Sequence, residues 1–349
     1  MMPREKFINT INCRNYNIPV FCPAIYDYKV NFSNSQSHLF GQDKDEFIEA
    51  VKNEIYELNS EVITCGYDIY NIEAEALGSN IIRDRESIFP EVANPILYCL
   101  EDINNLPLFT ELKGRMPLYI DITETLRDQF NEEVYIRGAV SGPFSLAGCL
   151  YNREKLILDA IMDPIGVTNL LEYCTEVIIT YITGYLDKNL DIVVFDSLAS
   201  PPLISPEIYR DLIFPFHKYI FDFMLDRGVK IRPLIMGGNT LSILEFLCKT
   251  GANQLLLDYN IPLVDVKSIL DKYNLAFRVN IDPDLVSGNS QEQIANHLRQ
   301  IAEVVGHNPN LLIGTGILMR NVPLRNIRFI RDFIENEYQS ILNESTNFK

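Results

Sequence analysis

Asp191-Ile192-Val193-Val194-Phe195 and Val229-Lys230-Ile231-Arg232-Pro233-Leu234-Ile235 are two short runs rich in β-branched and aliphatic residues, the composition of strands. Between them residues 206–226 carry helical spacing and open on Pro206, a favoured first residue of a helix. Strand, helix and strand in that order make the unit of a parallel sheet, because parallel neighbours need a crossover connection. The same alternation extends in both directions. Toward the C-terminus it predicts a helix over 241–250, a strand over 254–257, a helix over 264–272, a strand over 275–279, a helix over 291–305, a strand over 311–313 and a last helix over 323–336. Toward the N-terminus it predicts a helical stretch over 145–187 broken at Pro164, a strand over 134–140, and earlier strands near 62–65 and 20–23. Eight strands alternating with helices suit an α/β TIM (β/α)8 barrel better than a doubly wound sheet. Residues 1–349 read as a single barrel domain, with residues 1–60 an N-terminal extension packed on it.

Composition narrows the setting. With 47% hydrophobic residues and a mean hydropathy of +0.00, the chain has the balance of a soluble globular protein able to bury a large core. No run approaches the roughly 18 apolar residues that span a bilayer, and the first fifteen residues lack the apolar centre of a signal peptide. A cytoplasmic protein is expected. Cys13, Cys22, Cys65, Cys99, Cys149, Cys174 and Cys248 are scattered with no Cys-x-x-Cys pair, which opposes a disulfide framework or a zinc knuckle. Thirty basic against 47 acidic side chains leave a formal charge of −17, a balance that opposes nucleic acid and anionic membrane as partners. Such a charge suits a solvated acidic surface, or steering toward a basic partner protein.

In a (β/α)8 barrel the active site lies at the C-terminal ends of the strands, and here polar residues recur at those ends. Asp196 follows the 191–195 run, Asn239 the 229–235 run, Asp258 the 254–257 run, and Asn280 with Asp282 the 275–279 run. Asp68 lies just past 62–65, with Glu73 and Glu75 close behind. Any one of these is accounted for as a helix N-cap or turn residue. Their recurrence points to an acidic, hydrogen-bonding pocket.

Six blocks in order, Glu73-Ala74-Glu75-Ala76-Leu77-Gly78, Ser141-Gly142-Pro143-Phe144-Ser145-Leu146-Ala147, Asp196 with Ser200-Pro201 and Leu203-Ile204-Ser205-Pro206-Glu207, Gly238-Asn239-Thr240, Asn280-Ile281-Asp282-Pro283, and Val322-Pro323-Leu324-Arg325-Asn326-Ile327, resemble the uroporphyrinogen decarboxylase superfamily. The resemblance implies a TIM barrel and one of two chemistries. Decarboxylase members hold a polycarboxylate with N-terminal arginines beside an Asp, a Tyr and a His. In this chain Arg14 is the only basic residue of the corresponding stretch, and those three positions fall near Ile69 (with Asp68 adjacent), Cys149 and Thr315. The second branch, the corrinoid-dependent methyltransferases, moves methyl groups between small compounds and a cobalamin-carrying partner protein, and Ile18-Pro19-Val20-Phe21-Cys22-Pro23 is similar to its opening.

Thiol-methylating members of that branch bind zinc through a His-x-Cys before Gly-Asn-Thr and a later Cys. The resemblance places those ligands at Ile235, Gly237 and Thr315. An aliphatic side chain and a glycine cannot coordinate zinc, so zinc is not expected, although a different site built from Glu75, Asp196 or Asp258 stays open. His217, His297, His307 and His38 do not make up the loss. The reading that follows is a corrinoid-protein-dependent methyltransferase acting on a small methylated compound, an aryl methyl ether for example, by O-demethylation. Asp196 and Asp258 are the candidate proton donors, and Asp68, Glu75, Asn239, Asn280 and Asp282 the candidate substrate-binding residues. A decarboxylase and a noncatalytic small-molecule-binding barrel are the alternatives.

Overall fold

Eight parallel strands carry the molecule. The computed structural model describes residues 2–12, 18–34, 39–83, 90–130, 132–288 and 290–347; Cys13, Arg14 and His38 lie outside them. The strands are β1 (Val20–Ala24), β2 (Val62–Cys65), β3 (Tyr135–Ser141), β4 (Asp191–Phe195), β5 (Pro233–Ile235), β6 (Gln254–Leu257), β7 (Ala276–Ile281) and β8 (Leu311–Ile317). Their ladders run β1-β8-β7-β6-β5-β4-β3-β2, each pair parallel. The row's two ends meet where Phe21 N donates to Glu61 Oε2 at 2.7 Å, which leaves a nearly closed TIM barrel.

The surrounding helices bury one stripe each. Gln291–Val305 turns Ile294, Leu298, Ile301 and Val305 inward at three- and four-residue spacing, and Ser290 caps it by accepting from Gln293 N. Where the helices depart from expectation, a local cause is visible. Residues 145–187 form three helices, Pro143–Tyr151, Arg153–Met162 and Pro164–Leu186, because Asn152 breaks the first with a φ of 105° and caps the second through its side chain. The expected strand over 229–235 shrinks to Pro233–Ile235, since Arg232 N is taken by Asn253 Oδ1 at 2.7 Å and Pro233 has no N–H to give a ladder. The helix over 206–226 carries a wide turn at Tyr209–Ile213, one residue ahead of the Phe214-Pro215 start of the regular helix, where proline cannot donate. The helix Pro3–Ile11 and the short antiparallel pair Ile81–Ile82 with Glu91–Val92 had no periodic signal long enough to announce them.

The barrel interior is layered. At the bottom, Phe7 and Ile11 of the N-terminal helix join Val20, Val62, Tyr135, Ala276 and Leu312 in an apolar plug. At the top, Ala139, Val193, Phe195, Ile235 and Leu256 form a second apolar layer against Tyr26 and Tyr70. Two buried arginines also sit on barrel strands: Arg137 on β3 donates to Thr64 Oγ1 and Gln254 Oε1, and Arg278 on β7 donates to Asn280 Oδ1.

Candidate active site

The loops after the strands enclose a cavity of about 610 Å³. Its walls are largely aromatic and aliphatic, from Tyr26, Tyr70, Phe195, Ile235, Leu256 and Tyr259, with Asp68, Asp258, Asn280 and Arg278 as polar groups. A predominantly apolar pocket with a few converging polar groups is the usual form of a small-molecule site.

Asp258 is the best-organised polar group in it. Its Oδ1 accepts from Asn280 Nδ2 at 3.0 Å and from Tyr259 N at 3.0 Å, and its Oδ2 accepts from Gly238 N at 2.8 Å. Oδ1 thus holds two donors and Oδ2 one, so Oδ2 keeps a position for a proton or for a donor in the cavity. Asn280 continues the chain inward, its Oδ1 accepting from Arg278 Nε at 3.0 Å. Gly238, with a φ of 91°, supplies the turn that brings its N–H to Asp258, and a Cβ there would press on Ser200 Oγ. Beside it, Gly237 N donates to Ser197 Oγ at 3.0 Å, and the hydroxyl of Tyr70 donates to that same oxygen at 3.2 Å. Tyr70 holds a φ of 81°, a strained conformation for a tyrosine and of the kind that concentrates at binding sites. Burial pushes its phenol well above the usual range, so it stays a donor.

The three positions expected to correspond to zinc ligands do converge. Ile235, Gly237 and Thr315 all line this cavity, one at the end of β5, one just past it and one on β8. They present an aliphatic chain, a hydrogen and a hydroxyl whose oxygen accepts from Ala24 N at 3.1 Å. The residues present therefore do not fit a zinc ion held in that way. Among the described residues no group of three His, Cys, Asp or Glu side chains is placed to hold a metal.

Four expected site residues lie elsewhere. Asp196 is fully buried behind the cavity wall, where it accepts from Ser145 N at 2.7 Å, Phe144 N at 3.2 Å and His217 Nε2 at 2.8 Å. His217 Nδ1 pairs in turn with the Tyr209 hydroxyl at 2.9 Å. With its oxygens engaged by the Gly142-to-Ser145 turn and His217, Asp196 ties that loop to the 214–226 helix and does not line the cavity, where a proton donor was expected. Glu75 is half-buried outside the cavity, where burial raises its carboxyl but Arg115 and Arg83 outweigh it and hold it below the usual range. Arg115 bridges Glu75 and Asp68 at 2.5 Å each, so of that expected pair only Asp68 lines the cavity, already neutralised and also accepting from Asn71 Nδ2 at 2.6 Å. Asn239 is exposed and caps Leu241 N at 3.2 Å. Asp282 caps the Pro283–Ser287 helix through Asp284 N at 2.9 Å. Cys149 is buried in its helix, its thiol pushed up to about 11 by burial.

Tyr26, Tyr70, Ser197 and Arg278 went unnoticed in the sequence. Arg278 was the findable one: in Ala276-Phe277-Arg278-Val279-Asn280 the period of two puts Arg278 on the same face as Asn280, inside the barrel. Tyr26 and Tyr70 sit in loops, where no periodicity marks a residue.

The sequence model of the family described as uroporphyrinogen decarboxylase matches residues 2–336. The chain belongs to that family. Within the family its relatives carry both chemistries. The methylcobamide:CoM methyltransferase MtbA of Methanosarcina acetivorans is 28% identical over 258 residues, covering 70% of this chain and 71% of that protein. The chloroplastic uroporphyrinogen decarboxylase 2 of Oryza sativa is 28% identical over 200 residues, 55% of this chain and 50% of that one. Among solved structures, a methyltransferase from Methanosarcina mazei superposes with a TM-score of 0.81 at 17% identity over 97% of this chain and 99% of that chain. That likeness establishes the fold. With methyltransferases among its relatives, this member of the uroporphyrinogen decarboxylase family is an enzyme.

Proposed function

We propose that the protein is a corrinoid-protein-dependent methyltransferase that removes a methyl group from the oxygen or nitrogen of a small compound. The observation that carries this reading is the convergence of Ile235, Gly237 and Thr315 on a cavity that keeps Asp258. A thiol acceptor would need a metal to make its thiolate, and those positions supply no ligand set for one. Demethylation of an ether or amine makes no such demand, because the reduced corrinoid on the partner protein supplies the nucleophile. The protein must then hold the methyl group toward the mouth, exclude water and give the leaving heteroatom a proton. The apolar walls do the first two. Asp258 Oδ2, with its one remaining position, holds and transfers the proton, and Asn280 and the Gly238 amide keep the carboxyl in place.

The relatives that share most of their length with this chain support the reading, since the name of one joins methyl transfer to a cobamide. The test is a purified corrinoid protein in its reduced form, mixed with the enzyme and a panel of methoxylated and methylated compounds while the corrinoid spectrum is followed. Methylated corrinoid is expected only when enzyme and substrate are both present, and the rate is expected to fall by about a hundredfold or more in Asp258→Asn, the range lost with a general acid. No methylation across the panel, or carbon dioxide release from a tetrapyrrole acid instead, would overturn the assignment.

A further inference from the structure

Arg278 is the most unusual group in the molecule, a cation that is 2% exposed and still part of the cavity lining. Burying a guanidinium is costly unless it is paired. Its polar contacts are Asn280 Oδ1 at 3.0 Å and Cys22 Sγ at 3.9 Å, with the Tyr26 hydroxyl nearby, and among the described residues no carboxylate lies within ion-pair distance of it. Asp258 is reached only through Asn280. Room for the side chain is made by Gly314 on the neighbouring strand, where a Cβ would stand 2.9 Å from Arg278 Nε. The arrangement of Tyr26 follows from simple donor counting. A guanidinium only donates, so beside Arg278 the Tyr26 O–H proton is directed elsewhere. Burial keeps that phenol protonated, and Tyr26 also lines the cavity.

We propose that Arg278 and Tyr26 form an anion subsite at the floor of the cavity, and that the substrate is a methylated aromatic compound whose carboxylate binds there. A carboxylate would complete the pairing that Arg278 lacks, accepting charge-assisted bonds from the guanidinium and one from the Tyr26 hydroxyl. The remainder of the molecule would lie between Tyr70, Phe195 and Tyr259, whose aromatic and apolar surfaces suit a ring. Asn280 links the two polar ends of the cavity, its Oδ1 accepting from Arg278 Nε at 3.0 Å and its Nδ2 donating to Asp258 Oδ1 at 3.0 Å. A single benzene ring would set its carboxylate at Arg278 and the methylated heteroatom at Asp258. Elsewhere in the cavity a second carboxylate would meet Asp68, Glu91 and Asp258, and the other arginine of the lining, Arg153, is exposed rather than buried at the floor.

This substrate class rests on the methyl-transfer reading, but the subsite itself is tested by binding alone. Calorimetric titration of the intact protein with 4-methoxybenzoate and with neutral 4-methoxybenzamide is expected to show the carboxylate bound about tenfold to a hundredfold more tightly, the usual gain from charge-assisted bonds. Arg278→Gln should erase that preference and Arg278→Lys should retain part of it. Equal affinity for the two compounds in the unaltered protein, a preference that survives Arg278→Gln, or no binding of either at millimolar concentration would overturn the subsite. The wild-type comparison decides the matter even if the variants fail to fold. A carboxylate preference without corrinoid methylation would sink the methyl-transfer reading and leave the subsite standing; methylation from neutral ethers as fast as from their carboxylated analogues would do the reverse.

Discussion

At the scale of single residues, the loss of three coordinating side chains is a chemical statement that the fold leaves reversible. Gly237 has open space where a Cβ would go, its nearest neighbours being Asp258 Oδ2 at 3.5 Å and Ser197 Oγ at 3.6 Å, and Thr315 differs from cysteine by little volume. Combining Ile235→His, Gly237→Cys and Thr315→Cys should therefore create a two-sulfur, one-nitrogen site with its fourth position open to the cavity. Metal analysis is expected to find about one zinc per chain in the triple variant and well below that in the unaltered enzyme. Stoichiometric zinc in the unaltered enzyme would refute a metal-free pocket and turn attention to its carboxylates. A second residue-level effect belongs to Glu73, which is 1% exposed and accepts from Ser141 N at 2.7 Å. Burial raises its carboxyl above the usual carboxylate range. A group raised in the folded state contributes its full stability below the unfolded pKa and loses it as pH rises through the folded one. Glu73→Gln removes that titration, so the variant's stability relative to the parent should climb as pH rises above the ordinary carboxylate range in urea melts; a flat difference would contradict a buried, titrating carboxyl there.

At the scale of elements, close contacts between strand and helix decide which sequence positions are negotiable. A Cβ on Gly138 of β3 would overlap the ring of Tyr185 from the Pro164–Leu186 helix, which is fully buried and cannot swing away. Gly138→Ala is expected to cost about 1–3 kcal/mol, the range of overpacked cores, or more if the helix must shift. Gly78 has open space but a φ of 101°, so Gly78→Ala should cost only about 1 kcal/mol, from backbone strain alone. Denaturant midpoints of the two variants separate a packing glycine from a conformational one. The strand order was readable because hydrophobic period survives in sequence, and all eight barrel strands were placed from it, whereas the helices Lys44–Leu58 and Met116–Phe130 were not. The site was less legible for a physical reason. An acid at a strand end looks the same whether it faces the cavity, as Asp258 does, caps a helix, as Asp282 does, or holds a loop from behind, as Asp196 does. Only the positions of the surrounding N–H groups distinguish them, and those are set by tertiary contacts distant in the chain. The family blocks had the converse strength: Gly238-Asn239-Thr240 marked the turn beside the cavity, where Gly238 N holds Asp258 Oδ2, while the Asn239 side chain within it turned out to face solvent.

At the scale of the whole molecule, the barrel divides stability from chemistry along its axis, as TIM barrels do. The bottom is closed by Phe7, fully buried on the N-terminal helix, its ring 4.5 Å from that of Tyr135 and within 5.8 Å of the Arg137 guanidinium. The top holds Tyr70 and Asp258, which border the cavity and contribute less to the core. Phe7→Ala removes a large side chain from a site that the surrounding strands cannot collapse to fill, and should lower stability by about 3–5 kcal/mol. The strands above it are fixed by their ladders, so the cavity should keep its shape, and 4-methoxybenzoate affinity in the folded fraction should stay within about twofold of the parent, a change of under 0.5 kcal/mol. Tyr70→Phe is the complement. It deletes one hydroxyl bonded to Ser197 at 3.2 Å, a loss of about 1 kcal/mol or so in stability, but frees the Ser197 and Gly237 corner of the wall against which the substrate is held. Methyl transfer should therefore fall more in Tyr70→Phe than in Phe7→Ala although the stability order is reversed. Measuring both quantities on both variants checks this separation, and parallel losses of stability and activity would show that the two ends of the barrel are energetically coupled.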